Sequence, residues 1–225
     1  MKKKVKIWLW GLWLFSVAVV SCRKGDEVPP AVDYGYEYFD FSEGKVRIYA
    51  VTEIHIDDPA GVYDTLHYFV KEVYAQPFID DEGRDAMKIF IYRSDSCTDS
   101  LWSVPTVYWA VLTGKEAIVY EENVPFVKMC FPVEDGKVWD GNKYNDNGVQ
   151  EYRISSVVGD SVKVVHQELS SLISEDVEYE VYAKHKGLTR KVVKHLEAYY
   201  DNLNLPIEER LKYGYVYEKK LISCY

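Results

Sequence analysis

The sequence predicts a mainly β protein of antiparallel, sandwich-like sheets, and three observations support this fold class. Short runs rich in β-branched and aromatic residues follow one another along the chain, separated by clusters of Asp, Gly, Ser and Pro that favour turns. The connections between them are too short for the crossovers that parallel strands need. The chain also contains 20 tyrosines and 6 tryptophans, residue types that favour strands and packed surfaces over helices.

Composition sets the outer bounds on function. The 225 residues are 48% hydrophobic and 28% charged, which is ordinary for a folded protein and excludes disorder throughout. The formal net charge is -9, and it becomes -13 if the four lysines of the first 21 residues are removed with a signal peptide. Such an acidic surface repels the phosphate backbone, so we expect no nucleic-acid partner.

Residues 1–21 have the organisation of a secretory signal. A basic MKKKVK start precedes fourteen mostly apolar residues, Ile7 to Val20, whereas a membrane-spanning helix needs about 20. The stretch Val19 to Cys22 resembles the lipobox of bacterial lipoproteins. That resemblance implies a lipid on the Cys22 sulfur, cleavage before Cys22, and lipid anchoring at the outer membrane or surface of a Gram-negative bacterium. The alternative is a plain signal peptide with an incidental cysteine.

Residues 22–33 are predicted to be a flexible tether between the lipidated cysteine and the fold. They combine charge, glycine and paired prolines without periodicity, and the eleven residues after Cys22 could reach roughly 35 Å. The charged residues Lys24, Asp26 and Glu27 resemble the surface-export signal of Bacteroidetes lipoproteins. A short polar tether would have a similar composition.

Residues 34–134 form the predicted N-terminal β-rich half. Aromatic residues at Tyr34, Tyr36 and Tyr38 recur every second position, which predicts an extended strand. Six further strand-like runs lie between Lys45 and Phe131: KVRIYAVTEIHI, TLHYFVKEVYA, AMKIFIYRS, TVYWAVL, KEAIVYEE and VPFVKMCF. Prolines at 105 and 125 predict edge strands or bulges in two of these runs.

Residues 135–148 are predicted to be a hinge loop between the two halves, because turn dipeptides lie at Asp135-Gly136 and Asp140-Gly141. The structural residues expected in this loop and just before it are Pro132, Gly136, Trp139, Asp140, Gly141 and Asn142. We expect Trp139 to cover the junction of the halves. The GKVWDGNKYN stretch resembles a family of uncharacterised Bacteroidetes outer-membrane or surface lipoproteins, a likeness that covers most of the mature chain and implies no function.

Residues 149–225 form the predicted C-terminal β-rich half, another antiparallel meander. The pattern in residues 188–200 fits either a strand or a helix, and we predict a strand. The preceding YAKHKGL resembles a turn in the curved sheets of envelope proteins that carry lipid or lipoprotein, which implies a half-barrel. Asn204, Pro206 and the following IEERLK predict one short helix, and YGYVYEKKLI predicts the last strand.

No catalytic or cofactor motif is readable, so we expect a non-enzyme that needs no cofactor or metal. His55 and His67 lie near acidic residues, but neither has a second histidine at metal-ligand spacing. Beyond Cys22 the chain has Cys97, Cys130 and Cys224. This odd number permits at most one internal disulfide. Cys130, in an apolar run, is predicted to be a buried free thiol.

Two classes of binding function remain open, with a hydrolase that lacks a readable motif as a third. The favoured one is a non-enzymatic envelope lipoprotein whose curved sheets present an aromatic-lined surface to an apolar or lipid-like ligand, or to a protein partner. Trp102 and Trp109 are candidate ligand contacts. The alternative is a surface glycan-binding lipoprotein in which Trp102, Trp109 or Trp139 stacks on sugar rings. Exposed tryptophans would favour the glycan, and an open pocket would favour the lipid-like ligand.

Overall fold

The structure is a computed structural model and describes residues 33–97 and 101–225. The predicted signal (1–21), the lipidation site Cys22 and all of the tether except Asp33 lie outside these residues. Asp33–Tyr225 forms one compact unit. None of the helical segments in the described ranges is long and apolar enough to span a membrane.

The described residues form one antiparallel sheet of twelve strands, in the order β6-β5-β4-β3-β2-β1-β12-β11-β10-β9-β8-β7. This confirms the predicted mainly β, antiparallel fold class. The strands are β1 (Val46–Asp57), β2 (Val62–Ile79), β3 (Asp85–Ser94), β4 (Thr106–Leu112), β5 (Glu116–Glu121), β6 (Val124–Cys130), β7 (Val138–Asp140), β8 (Glu151–Val158), β9 (Ser161–Ser170), β10 (Ser174–Ala183), β11 (Gly187–Ala198) and β12 (Leu211–Cys224).

The sheet consists of two six-stranded meanders that share one boundary. Strands β1 to β6 pair in chain order, as do β7 to β12. The meanders join where β1 pairs with β12, and there Val51 lies opposite Lys219 and His55 opposite Tyr215. The two predicted β-rich halves therefore belong to a single continuous sheet.

The sheet curls until its two edge strands nearly meet, which makes it an almost closed barrel. At the seam the Val127 amide of β6 donates to the Gly141 carbonyl at 2.9 Å. The Trp139 indole of β7 donates to the Val127 carbonyl at 2.8 Å. A twisted sheet of this many strands tends to curl, and closing it satisfies edge groups that would otherwise be unpaired.

Alternation along each strand decides what faces the interior. In β2, Tyr68, Val70, Glu72 and Tyr74 are buried while the residues between them are only partly buried. The same two-residue period buries Tyr49 and Val51 in β1. Charged residues such as Glu72 therefore occupy the same alternate, inward-facing positions as the apolar residues.

The predicted strand at Tyr34–Tyr38 is wrong, because Tyr36–Phe39 is a 3₁₀ turn. The two neighbouring residues Tyr38 and Phe39 are both buried, which the alternation of a strand does not allow. Gly35 begins the turn in the left-handed region with φ of 75°. A side chain at Gly35 would also lie 2.9 Å from Val133, so the chain turns there and places the aromatic rings across one end of the barrel.

Several other segments allow the predicted secondary structure to be compared with the observed one. The predicted C-terminal helix is only a three-residue 3₁₀ turn, Ile207–Glu209, because Leu211 already begins β12. The predicted strand at 188–200 is confirmed as β11. The segment predicted as a hinge loop contains β7. Pro125 lies in the edge strand β6, as expected, whereas Pro105 precedes β4.

The three cysteines of the described residues are free thiols. Cys130 is buried, as predicted. Its burial raises the pKa of the thiol to about 11, so Cys130 remains a thiol at neutral pH.

Candidate functional site

A cavity of about 390 Å³ lies inside the barrel. Its apolar wall consists of Phe39, Val70, Ile89, Ile91, Val119, Leu188 and Val193. Its polar wall consists of Arg47, Glu72, Tyr74, Tyr108, Glu121, Lys128, Glu180, Tyr182, Lys191, Tyr215, Tyr217 and Lys219. Apart from Phe39 of the Tyr36–Phe39 turn, these side chains come from β1 to β6 and β10 to β12, so both meanders form the wall.

The 3₁₀ turn Tyr36–Phe39 forms the floor of the barrel. Phe39 lines the cavity, and the Tyr38 hydroxyl donates to the Gly159 carbonyl at 3.3 Å. The His185 amide donates to the Glu37 carbonyl at 2.8 Å. Since Gly159 and His185 lie in the β8–β9 and β10–β11 turns, the floor is fixed to one end of the barrel.

Arg47 connects the floor to the wall. Its guanidinium donates to the carbonyls of Lys186 and Asp40, each at 2.7 Å, and lies 4.3 Å from the centroid of the Tyr74 ring. Arg47 is only 1% exposed. A Cβ at Gly187, where φ is +70°, would lie 2.7 Å from this guanidinium, so the position needs glycine for both backbone conformation and space.

Four charged residues alternate along one side of the cavity. Lys128 lies 2.9 Å from a Glu121 oxygen and 3.7 Å from a Glu180 oxygen. Lys191 lies 3.5 Å from Glu180. Burial alone would raise the pKa of Glu180, but the charges of Lys128, His166 and Lys191 outweigh it and hold that pKa well below its usual value. Burial likewise opposes the charge of Lys128, yet Glu180 and Glu121 raise its pKa.

His166 extends this network into the wall behind the cavity. Its side chain is fully buried and its Nδ1 lies 3.2 Å from a Glu178 oxygen. The imidazole stacks on Tyr152 with centroids 3.8 Å apart. Its Nε2 lies 3.5 Å from a Glu180 oxygen and makes no hydrogen bond within the described residues.

A second ion pair lies on β2 and β12. Lys219 donates to one Glu72 oxygen, and the Tyr49 hydroxyl lies 3.3 Å from the other. The Tyr49 hydroxyl is also 3.1 Å from the Leu188 carbonyl. The Lys219 ammonium lies 4.1 Å from the centroid of the Tyr49 ring. Glu72 and Lys219 therefore satisfy each other's charge without a ligand.

Three hydroxyls of the cavity wall, those of Tyr108, Tyr215 and Tyr217, make no hydrogen bond with any residue in 33–97 or 101–225. Burial raises the pKa of all three phenols, and nearby carboxylates add to the rise. The hydroxyls therefore stay protonated at neutral pH. Each can donate and accept a hydrogen bond.

The end of the barrel opposite the floor is open. Inner-face residues there include His55 of β1 and His195 of β11, both aligned with Tyr215 of β12. Their side chains are 48% and 47% exposed, although an inner-face residue in a filled barrel would be buried. His55 contacts Glu53 and His195 contacts Asp176, each at 2.9 Å.

The pKa shifts of Glu121, Glu180 and Lys128 do not suit these three groups to proton transfer at neutral pH. Acid-base catalysis needs groups whose pKa lies near the working pH, whereas the pKa values of Glu121 and Glu180 are lowered and that of Lys128 is raised. Among residues 33–97 and 101–225, no group of three His, Cys, Asp or Glu side chains could hold a metal ion.

The sequence-predicted tryptophans lie away from the cavity and are half-buried. Trp109 stacks on Tyr120 with centroids 3.4 Å apart, so one face of its ring is covered. The Lys71 ammonium lies 4.3 Å from the centroid of Trp102. Trp139 packs edge-on against Tyr152 at 6.1 Å. None of the three lines the cavity.

The structural residues predicted between the halves lie together near the seam. The Asp140 carboxylate accepts from the amides of Asn142 and Gln150, each at 3.0 Å. Gly141 has no room for a side chain, since a Cβ would lie 2.5 Å from the Tyr152 ring.

The remaining two predicted residues, Pro132 and Gly136, lie on the floor side of this connection. The Pro132 carbonyl accepts from Lys137 Nζ at 2.9 Å. The Gly136 amide donates to the Ile154 carbonyl at 2.9 Å. The whole segment therefore connects the two edge strands.

Comparisons with known proteins do not extend this description. No protein family model matches the chain, and neither the characterised proteins nor the solved structures include a significant match.

Sequence reasoning missed the cavity residues, although a signal was present. Glu72 falls between Val70 and Tyr74 in the buried phase of β2, and Lys128 falls in the apolar run of β6. A charged residue in the buried phase of a strand is costly unless it is paired. Such residues therefore indicate partners across the barrel, but one sequence does not show which residues those are.

Proposed function

We propose that this protein is a binding module that takes a small amphipathic molecule into the barrel cavity. The observation that carries the proposal is the set of three unpartnered tyrosine hydroxyls facing an apolar wall in a cavity of about 390 Å³. Ligand sites combine this kind of apolar lining with a few convergent polar groups. The open end of the barrel provides the route of entry.

The polar wall favours an amphipathic ligand over a wholly apolar one. A hydrocarbon chain beside Glu180 and Lys128 would exclude water from charged groups without replacing its hydrogen bonds, which is costly. The tyrosine hydroxyls would also remain unsatisfied. A molecule with an apolar body and at least one hydrogen-bonding group satisfies both walls.

The glycan alternative has less support. The Trp109 ring is covered on one face by Tyr120, and the Trp139 indole is hydrogen-bonded across the seam. A sugar platform needs a free flat ring, so the cavity is the better-supported site.

We also propose that the protein is lipid-anchored through Cys22, on the strength of its lipobox-like sequence. Asp33, the last residue of the proposed tether, is 3.0 Å from Lys184 at the floor end of the barrel. Cys22→Ser should prevent lipidation and move the protein out of the membrane fraction, as fractionation and mass spectrometry would show. Normal processing with unchanged membrane retention would refute the anchor.

Native mass spectrometry of the full chain tests the cavity proposal. The lipid-anchored protein would be purified in detergent, and the detergent micelle is removed in the gas phase. The probe is 2-naphthalenemethanol, which joins a flat apolar ring system to one hydroxyl. We expect one probe molecule per chain. Analysis of solvent extracts of the purified protein would identify any molecule that co-purifies.

Two matched variants locate the site. Val193→Trp fills the cavity, because Val193 is in its wall, and should abolish binding. Val192→Trp adds the same side chain to the other face of β11 and should leave binding intact. Equal effects of both variants, or no binding by wild type together with no co-purifying molecule, would refute the proposed function.

A further inference from the structure

Every charged group of the cavity wall already has an oppositely charged partner. Arg47 lies 3.6 Å from an Asp40 oxygen, and Lys219 is hydrogen-bonded to Glu72. The remaining pairs are Lys128 with Glu121 and Glu180, and Lys191 with Glu178 and Glu180, at 2.9 to 3.7 Å.

Some of these partners, such as Asp40 and Glu178, do not themselves line the cavity. When they are counted, the ion pairs have no surplus of positive charge. Lys45 also pairs with Asp40, so five cations, those of Lys45, Arg47, Lys128, Lys191 and Lys219, face five carboxylates, those of Asp40, Glu72, Glu121, Glu178 and Glu180. The buried imidazole of His166 also contacts Glu178 and Glu180. The protein therefore provides neither a free cation for an anionic ligand nor a free carboxylate for a cationic one.

A charged ligand would have to enter this cavity unpaired or break an existing pair. Either event leaves one buried charge without compensation, and that is among the most costly changes in a protein interior. The innermost charged groups are well shielded from water, since the Arg47 side chain is 1% exposed, that of Glu180 is 3% exposed and that of Lys128 is 8% exposed.

The free groups of the cavity are neutral. Tyr108, Tyr215 and Tyr217 each offer one donor and one acceptor, and they come from β4 and β12. A hydroxyl, carbonyl or ether oxygen of a ligand can satisfy them without disturbing an ion pair.

From this arrangement we propose that the ligand is uncharged: an amphipathic molecule whose polar part is a hydroxyl or carbonyl group held by the free tyrosine hydroxyls. This inference rests on the proposed function, because it assumes that the cavity binds a small molecule. It assigns to that site the chemical class of its ligand and excludes fatty acids, phosphate esters and amines.

Three probes with the same ring system separate charge from shape. They are 2-naphthalenemethanol, 2-naphthoate and the ammonium form of 2-naphthylmethylamine, each titrated into the full chain at neutral pH and measured by native mass spectrometry. We expect the neutral alcohol to bind at least ten times more tightly than either ion. Equal or tighter binding of an ion would overturn the inference and leave the proposed function intact, whereas no binding of any probe would count against the proposed function itself.

Hydroxyl-deletion variants test which groups hold the ligand. Tyr108→Phe and Tyr217→Phe should each weaken binding of the alcohol roughly two- to tenfold, the usual effect of losing one hydrogen bond. Tyr179→Phe is the matched control, because Tyr179 lies on the outer face of β10 and its hydroxyl makes no hydrogen bond in the described residues. Unchanged binding in both cavity variants would contradict the assignment of these hydroxyls.

A charge-removal variant provides a test by gain of binding. Glu72→Gln keeps the shape of the side chain but leaves Lys219 without its carboxylate, so 2-naphthoate should gain at least tenfold in affinity relative to the alcohol. A folded variant with an unchanged preference would show that pairing does not set the selectivity. If the variant does not fold, the relative affinities of wild type for the three probes still decide the inference.

Discussion

Trp139→Ala should destabilise the protein by opening the seam of the barrel. The indole donates to the Val127 carbonyl at 2.8 Å and packs against Tyr152 in the main core cluster. Removing a fully buried Trp side chain costs roughly 3 to 5 kcal/mol, and Trp139 is only half-buried. Together with a lost hydrogen bond of about 1 kcal/mol, we expect a loss of roughly 3 kcal/mol.

For a domain of this size, that loss corresponds to a fall of roughly 6 to 12 °C in melting temperature. Far-UV circular dichroism measures the melt without relying on tryptophan fluorescence. Trp139→Phe is the control: it keeps most of the ring packing and loses the N–H, so it should lose only about 1 to 2 kcal/mol. A Trp139→Ala variant that melts within a degree of wild type would refute the claim that this indole holds the seam.

Two further predictions concern the floor of the barrel and its buried charges. Gly187→Ala should lower the free energy of unfolding, measured by chemical denaturation, by more than Gly44→Ala does. Both glycines have positive φ, but only at Gly187 would the added Cβ meet a neighbour, the Arg47 guanidinium at 2.7 Å. Equal losses would show that this contact is unimportant. Burial raises the pKa of Glu178, but His166 and Lys191 outweigh it and lower that pKa from 4.5 to about 2. A lowered pKa contributes stability above pH 4.5 that is lost as the pH falls toward 2, so wild type should lose stability across that window. Glu178→Gln should lose less there, and an acid unfolding curve identical to that of wild type would contradict the coupling.

The strands were predictable because their cause is local. Alternation of apolar and polar residues, interrupted by turn-forming residues, marks β1 to β6 in the first half and β8 to β12 in the second. Even the ambiguous stretch at β11 follows the strand pattern. Local patterns failed where the chain meets distant residues: Tyr36–Phe39 forms a 3₁₀ turn because Tyr38 and Phe39 fill the end of a barrel made elsewhere.

The short C-terminal helix failed for a related reason. Its sequence suits a helix, but Arg210 donates to the carbonyls of Leu205, Tyr199 and Leu172. These contacts fix the connection to the β9–β10 turn, and β12 must begin at Leu211 to pair with β11. Sheet pairing thus overrides helix propensity.

The residue pattern is sufficient to predict antiparallel strands and, for all strands except β7, roughly where each begins and ends, because the two-residue alternation depends only on neighbouring residues. Only the tertiary structure decided that one sheet curls into a barrel, that Trp139 bridges its edges, and that Lys128 meets Glu180 across 52 positions of sequence. Such pairs depend on strand order and curvature, which no single strand encodes. The cavity forms because strands far apart in sequence enclose a space that their inward-facing side chains do not fill. The free tyrosine hydroxyls face that space.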